Sequence, residues 1–117
     1  MVRGKIDRID ESDGALRIID YKTGLPKQKL TIENKEQLLI YQMAAADLFK
    51  QPISSVVFYY LENNSEEEFL GTADELDKIK NKVINTIEEI AKGEFPPRPS
   101  NLCAFCDFFD ICEFRKT

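Results

Sequence analysis

The chain has no histidine. That removes Ser-His and Cys-His nucleophilic pairs and every histidine-ligated metal site. Only three cysteines occur, all within residues 103–112. Thiols so close together make a poor disulfide framework and a better metal-ligand group. No apolar run approaches the roughly 20 residues of a membrane-crossing helix. The opening Met1-Val2-Arg3-Gly4-Lys5 lacks the apolar core of a secretory signal. Positive charge is also scarce. Sixteen Lys and Arg against 21 Asp and Glu leave a formal net charge of −5, which argues against holding nucleic acid by bulk electrostatics alone. What is present is 117 residues, 43% hydrophobic and 32% charged. That composition suits one globular domain and is too short for two independent ones.

The pattern reads β-β-α-β-β-α with a cysteine-rich tail, an α/β (α+β) domain with a mixed sheet flanked by helices. Residues 4–10 and 16–23 are the first two strands. Asp13-Gly14 turns between them, because a type I′ hairpin needs positive φ at both central residues. A polar loop over 25–31 leads to a helix over 34–50, capped by Asn34 with Gln37 in the capping-box position and packed through Leu38, Tyr41, Ala45 and Leu48. The β-branched and aromatic run 53–61 suits a central strand covered on both faces, and 66–70 suits an edge strand. A second helix spans 73–92, capped by Thr72 with Glu75. Its expected buried stripe is Leu76, Ile79, Val83, Ile87 and Ile90, and Gly93 ends it. Phe95-Pro96-Pro97-Arg98-Pro99 is a stiff extended connector.

The chemistry starts in the hairpin. A two-residue loop closed by Ser12 and Ala15 sets Ile9 opposite Ile18, Asp7 opposite Asp20 and Lys5 opposite Lys22. Asp7, Ile9, Ile18, Asp20 and Lys22 then share one face. Arg8, Asp10, Arg17 and Tyr21 share the other, with Asp10 and Arg17 forming a cross-strand ion pair. Two facing carboxylates repel unless a divalent cation lies between them, and oxygen donors suit Mg²⁺ or Mn²⁺. Lys22, one pleat from Asp20, is within reach of a phosphate oxygen or an attacking water. Two acids, a metal site and one cation make a parts list for metal-assisted phosphodiester hydrolysis. The plainer alternative is that both acids are solvated strand residues.

These residues resemble a family. Gly4-Lys5-Ile6-Asp7-Arg8-Ile9-Asp10 followed by Ile18-Ile19-Asp20-Tyr21-Lys22-Thr23-Gly24 is similar to motifs I and II of the PD-(D/E)XK nucleases, above all the RecB-like exonuclease branch. Gln37-Leu38-Leu39-Ile40-Tyr41 resembles that branch's Q-x-x-x-Y motif. The resemblance runs from Gly4 to Cys112 and implies a restriction-endonuclease-like core. It implies that Asp7 and Asp20 bind the catalytic metal, that the Tyr21 backbone carbonyl completes its shell, and that Lys22 is the catalytic lysine. Gln37 and Tyr41, one helical turn apart, are expected to face the active site or the DNA, with core packing the alternative for Tyr41.

Cys103, Cys106 and Cys112 follow the three-cysteine pattern of the iron–sulfur type of that branch, in which a fourth cysteine upstream completes a 4Fe–4S cluster. This chain has no fourth cysteine. The alternatives are reduced thiols buried among Phe105, Phe108, Phe109 and Phe114, or zinc with water or Asp107 as fourth ligand. Such enzymes also carry a helical segment before motif I, so the expectation is the C-terminal part of a larger nuclease domain, with residues 1–95 the core and 96–117 its cysteine-rich segment. The implied function is a cytoplasmic, Mg²⁺- or Mn²⁺-dependent DNA nuclease of helicase-associated repair or recombination, acting on single strands beside a helicase subunit or its own N-terminal remainder. Lys27 and Lys29 would supply local positive charge. Exposed apolar surface would favour self-association, and no membrane is involved. The alternative is a catalytically inactive nuclease-fold module with a structural or nucleic-acid-docking role.

Overall fold

The structure, a computed structural model, describes residues 1–26 and 32–117. Lys27 and Lys29 lie outside the described residues. The element order is β1 (Arg8–Ser12), β2 (Ala15–Lys22), α1 (Ile32–Phe49), β3 (Ile53–Tyr60), β4 (Ser65–Phe69) and α2 (Ala73–Lys92), followed by a 3₁₀ turn at Asn101–Phe105. The strands form one mixed sheet in the order β1-β2-β3-β4, antiparallel at both edges and parallel between β2 and β3. This is the α+β class expected from the sequence pattern. The chain divides into two compact units, Met1–Ile84 and Asn85–Thr117.

Asp13 and Gly14 have φ of 51° and 76°, the pair of positive angles that a type I′ turn requires. The turn sets the register Ser12↔Ala15, Ile9↔Ile18 and Arg8↔Ile19. Ile9, Ile18, Asp20 and Lys22 therefore share a face. β1 starts at Arg8, later than the expected residue 4, so Asp7–Asp20 and Lys5–Lys22 are not ladder pairs. Asp7 instead turns its carboxylate onto the Tyr21 backbone N–H, 3.0 Å away. Asp10 does stand opposite Arg17, but the expected ion pair between them is absent. Asp10 takes the Arg8 guanidinium at 2.7 Å, and Arg17 reaches Glu66 at 2.6 Å and Glu68 at 3.4 Å on β4. The register neighbour of Arg17 on the intervening strand is the small Ser55, which leaves room for that reach.

The β3 run is buried on both sides, Val56 and Phe58 on one and Ser55 and Val57 on the other, as its unbroken β-branched and aromatic composition suggests. Between Leu16 and Arg17 the β2–β3 register shifts by one residue, and the extra residue, Ser54, donates its hydroxyl to the Leu16 carbonyl at 3.1 Å. Ile18, Val56, Phe58 and Tyr60 pack with Leu38 and Ala45 of α1 to form the core, with Ile6, Tyr41, Ile53 and Phe69 at its margin.

α1 begins at Ile32, so Asn34 and Gln37 lie inside the helix and do not form the expected capping box. Leu48, expected in the packed stripe, is 75% exposed. It lines an open apolar groove of about 710 Å³ with Val2, Ile6, Ile40 and Phe49. At α2 the expected cap is present. Thr72 Oγ1 accepts from the Glu75 N–H at 3.2 Å, and Glu75 Oε1 accepts from the Thr72 N–H at 3.3 Å. Gly93, with φ of 70°, ends the helix. The expected α2 stripe is buried only at Ile79. Leu76 and Val83 are half-buried, and Ile87 and Ile90 are exposed. An amphipathic pattern marks the face that can be buried, but neighbours decide how much of it is.

One joint holds β4, α2 and α1 together. Gln42, buried on α1, donates Nε2 to the Gly71 carbonyl at 3.1 Å and accepts the Gly71 N–H on Oε1 at 2.9 Å. A Cβ at Gly71 would fall 2.3 Å from Leu39 Cδ2 and 2.9 Å from Gln42 Oε1, so only glycine fits there without a shift.

Candidate active site

β2 ends in the residues that carry the chemistry. Asp20, on the α1-facing side, is 4% exposed. Lys22 lies two residues further along the same face and bends its ammonium back over it. Nζ stands 2.9 Å from Asp20 Oδ2 and donates to Gln37 Oε1 at 3.2 Å. It also lies 5.1 Å from the centre of the Phe58 ring. Gln37 in turn donates Nε2 to the Tyr41 hydroxyl at 3.0 Å. Gln37 and Tyr41 meet because residues four apart on a helix are neighbours. They meet Lys22 because the core presses α1 onto β2 and β3. Tyr41 does two jobs, since it also packs at the margin of the core. Asp20, Lys22, Gln37 and Tyr41 form one connected chain of polar contacts.

Asp20 Oδ2 has no hydrogen-bond partner despite its burial. The Lys22 ammonium stands 2.9 Å from it as an ion pair, which compensates its charge without a hydrogen bond of good geometry. Among the described residues, no other buried side-chain oxygen or nitrogen lacks a partner. Burying such an atom is costly; the Lys22 ammonium offsets part of that cost, and a bound cation would offset more. Tyr60, paired in register with Lys22, has its phenol pushed above the ordinary value by burial first and then by Glu67, with Lys22 pulling the other way. It is therefore a neutral hydroxyl at physiological pH.

The Asp7 carboxylate, exposed, sits on the peptide joining Asp20 to Tyr21 by accepting from the Tyr21 N–H. The structure thus brings Asp7 next to the β2 segment that carries Asp20. The cysteines are arranged otherwise. Cys103 and Cys112 are half-buried and Cys106 is exposed, all as free thiols. Among the described residues, no three His, Cys, Asp or Glu side chains gather as a metal-holding group. The alternative of thiols buried among phenylalanines is not what is seen, since Phe105, Phe108 and Phe114 are all more than half exposed.

The sequence model of the PD-(D/E)XK nuclease superfamily matches residues 1–113. The chain belongs to this superfamily. A search of curated proteins finds no match. For a PD-(D/E)XK protein, nucleic acid is the substrate that membership implies, and divalent metals are usual. No helix among the described residues is long and apolar enough to cross a membrane.

The residues present fit such a metal. Asp7, Asp20 and the Tyr21 carbonyl are all hard-oxygen donors at or beside the end of β2, and Mg²⁺ commonly takes only one or two protein carboxylates and keeps several waters. A third acidic ligand is therefore not needed. The orphaned Asp20 oxygen is the specific observation in favour. The thiols, by contrast, are one ligand short of a four-thiolate set and do not gather among the described residues.

Reading the chain for motifs missed three contributors. Phe58 sits under the Lys22 ammonium, and its signal was its place in phase with Val56 and Tyr60 on β3. Gln42 falls on the same helical face as Leu38 and Ala45, and a polar residue in an apolar stripe is a sign of a fixed partner. Arg17 tethers β2 to β4, which no local pattern announced.

Proposed function

We propose that this PD-(D/E)XK protein is the catalytic core of a metal-dependent DNA nuclease of the RecB-like exonuclease kind, hydrolysing phosphodiester bonds. The observation that carries the reading is the buried Asp20 Oδ2, without a hydrogen bond, beside an ammonium that two further groups hold in place. Asp7, Asp20 and the Tyr21 carbonyl would hold Mg²⁺ or Mn²⁺. A divalent cation supplies there the acidification of a water and the neutralisation of charge on the phosphate.

The rest falls to this chain's own side chains. Asp20 is anchored by burial, so its carboxylate points the same way before and after substrate arrives. Lys22 presents a donor-only cation beside it, suited to a phosphate oxygen gaining negative charge. Gln37 limits the travel of that ammonium by accepting one of its hydrogens, and Tyr41 fixes which way the Gln37 amide faces by accepting from Nε2. Single-stranded DNA is the proposed substrate. A helicase subunit or an N-terminal remainder of the nuclease is the proposed partner, in a cytoplasmic repair or recombination setting. Self-association is proposed from the exposed apolar side chains. For an intact protein able to supply a fourth thiolate, Cys103, Cys106 and Cys112 are proposed as ligands of a 4Fe–4S cluster. Residues 1–95 are proposed as the nuclease core and 96–117 as its cysteine-rich segment.

A calorimetric Mn²⁺ titration of the chain and its Asp20→Ala variant tests the reading, followed by nuclease assays on single- and double-stranded DNA. Binding by the parent alone, with cleavage that needs the metal, is the expected result. No binding by either protein would overturn it and favour the second reading, a catalytically inactive module that docks nucleic acid or stiffens an assembly.

A further inference from the structure

We propose that Phe58 is a positioning residue for Lys22, its ring face holding the lysine ammonium over the site. The inference rests on the nuclease reading of Lys22 and adds a group that no motif contains. Phe58 is 1% exposed and belongs to the core formed with Ile18, Leu38, Ala45, Val56 and Tyr60. Its register partner on β2 is Asp20. The Lys22 ammonium lies 5.1 Å from the ring centre, within the roughly 6 Å over which a cation is attracted to an aromatic face.

The physical case begins with the lysine stem. Four methylenes give it many rotamers and an ammonium that water hydrates strongly. Holding that charge in one place needs several contacts that outbid solvent. Two are oxygens, Asp20 Oδ2 at 2.9 Å and Gln37 Oε1 at 3.2 Å. Both are acceptors that an arriving cation or substrate can recruit. The ring is different. It accepts no proton and binds no metal, and β3 holds it rigidly. An aliphatic residue at position 58 would strip water from that side of the ammonium and return nothing. A further carboxylate would return too much, tying Lys22 up as an ion pair in a site already rich in acid. The ring's negative face steadies the charge and leaves its hydrogens free for oxygen partners. The Phe58 ring is thus a contact of the Lys22 ammonium that stays the same whether or not Asp20 and Gln37 are engaged elsewhere.

Truncation of so buried a residue unfolds or loosens the core, so the test keeps the ring and changes its charge distribution. Phe58 is replaced in the full chain by mono-, di- and trifluorophenylalanine, which drain the ring face step by step at nearly constant size. Three quantities are read: the melting temperature, the NMR order of the Lys22 ammonium from relaxation of its nitrogen, and the Mn²⁺-dependent cleavage rate. The expected result is an ammonium that becomes progressively more mobile and a cleavage rate that falls in the same order, by roughly 2- to 30-fold at the last step, with KM and melting unchanged. An ammonium and a rate that stay flat across the series would overturn the proposal and leave Phe58 as packing alone. A parent chain that cleaves no DNA would instead refute the nuclease reading. In that case the NMR series still decides, by the same two outcomes, whether Phe58 holds Lys22.

Discussion

The hairpin–helix site and the cysteine tail both announce chemistry through residue spacing, yet they are built to different standards. In the site, Asp20 is 4% exposed and its neighbours come from β2, α1 and β3. Residues 15 positions apart meet at 3.2 Å because a buried sheet and a helix hold their backbones. In the tail, no residue from 85 to 117 is buried. Its thiols sit on local turns, with the Cys106 N–H bonded to the Cys103 carbonyl at 3.0 Å and the Cys112 N–H to the Phe108 carbonyl at 2.9 Å. Local turns set neighbours a few residues apart, but they do not make three side chains converge. Convergence needs a core behind it.

The comparison can be broken most directly at Asp20. Asp20→Ala should lower metal-dependent cleavage at least roughly a thousandfold in a gel assay, and an unchanged rate would mean that the site is no more chemical than the tail. Next comes Lys22→Met, which leaves the Asp20 carboxylate buried without its cation. Urea unfolding should show a loss of about 1–3 kcal/mol, less than for a fully buried pair because a third of the Lys22 side chain meets solvent. Gly71→Ala should cost a similar amount, about 1–3 kcal/mol by the same measurement. Its Cβ meets Leu39 and the Gln42 amide, and both are buried. A neutral outcome there would show that α1 and the β4–α2 joint yield more readily than close packing allows.

Two smaller effects sharpen the tail's side of the contrast. The Ser100 N–H donates to the Cys103 sulfur at 3.3 Å, and the neighbouring Lys116 and Ser100 backbone lowers its thiol below the ordinary value. Hydrogen bonds to the charged form favour the thiolate. Alkylation of Cys103 followed against pH should therefore reach half its maximum at a lower pH than a free thiol does. A midpoint at or above that of a free thiol would show that these backbone groups do not stabilise the Cys103 thiolate. Phe105→Ser, at a side chain 85% exposed, should move the unfolding free energy by no more than about 0.5 kcal/mol. A large loss would show that this phenylalanine has a partner.

Much of the scaffold was legible in the chain. Asp13-Gly14 dictated the hairpin register, because both residues accept the positive φ of a type I′ turn, which closes Ser12 on Ala15. The β3 run announced an interior strand, and Thr72 with Glu75 announced a helix start. Asn34 and Gln37 looked like the same cap signal and were not one. Gln37 was spoken for by Lys22 and Tyr41, which a local pattern cannot show. Leu48, Ile87 and Ile90 kept the helical period and stayed exposed, since a period specifies a face and not what covers it. Asp10 and Arg17 stood opposite each other as counted, yet each chose another partner, because a long side chain samples every charge within its reach.

The sequence alone determined the element order, the hairpin register and which side chains share a face, since turn chemistry and the two- and 3.6-residue periods act over a few residues. The tertiary structure decided the rest. It put Lys22 between Asp20, Gln37 and the Phe58 ring, left one Asp20 oxygen without a hydrogen bond, and gave the thiols no common centre. Those outcomes depend on which surfaces pack, and packing is settled only when distant segments compete for the same buried space.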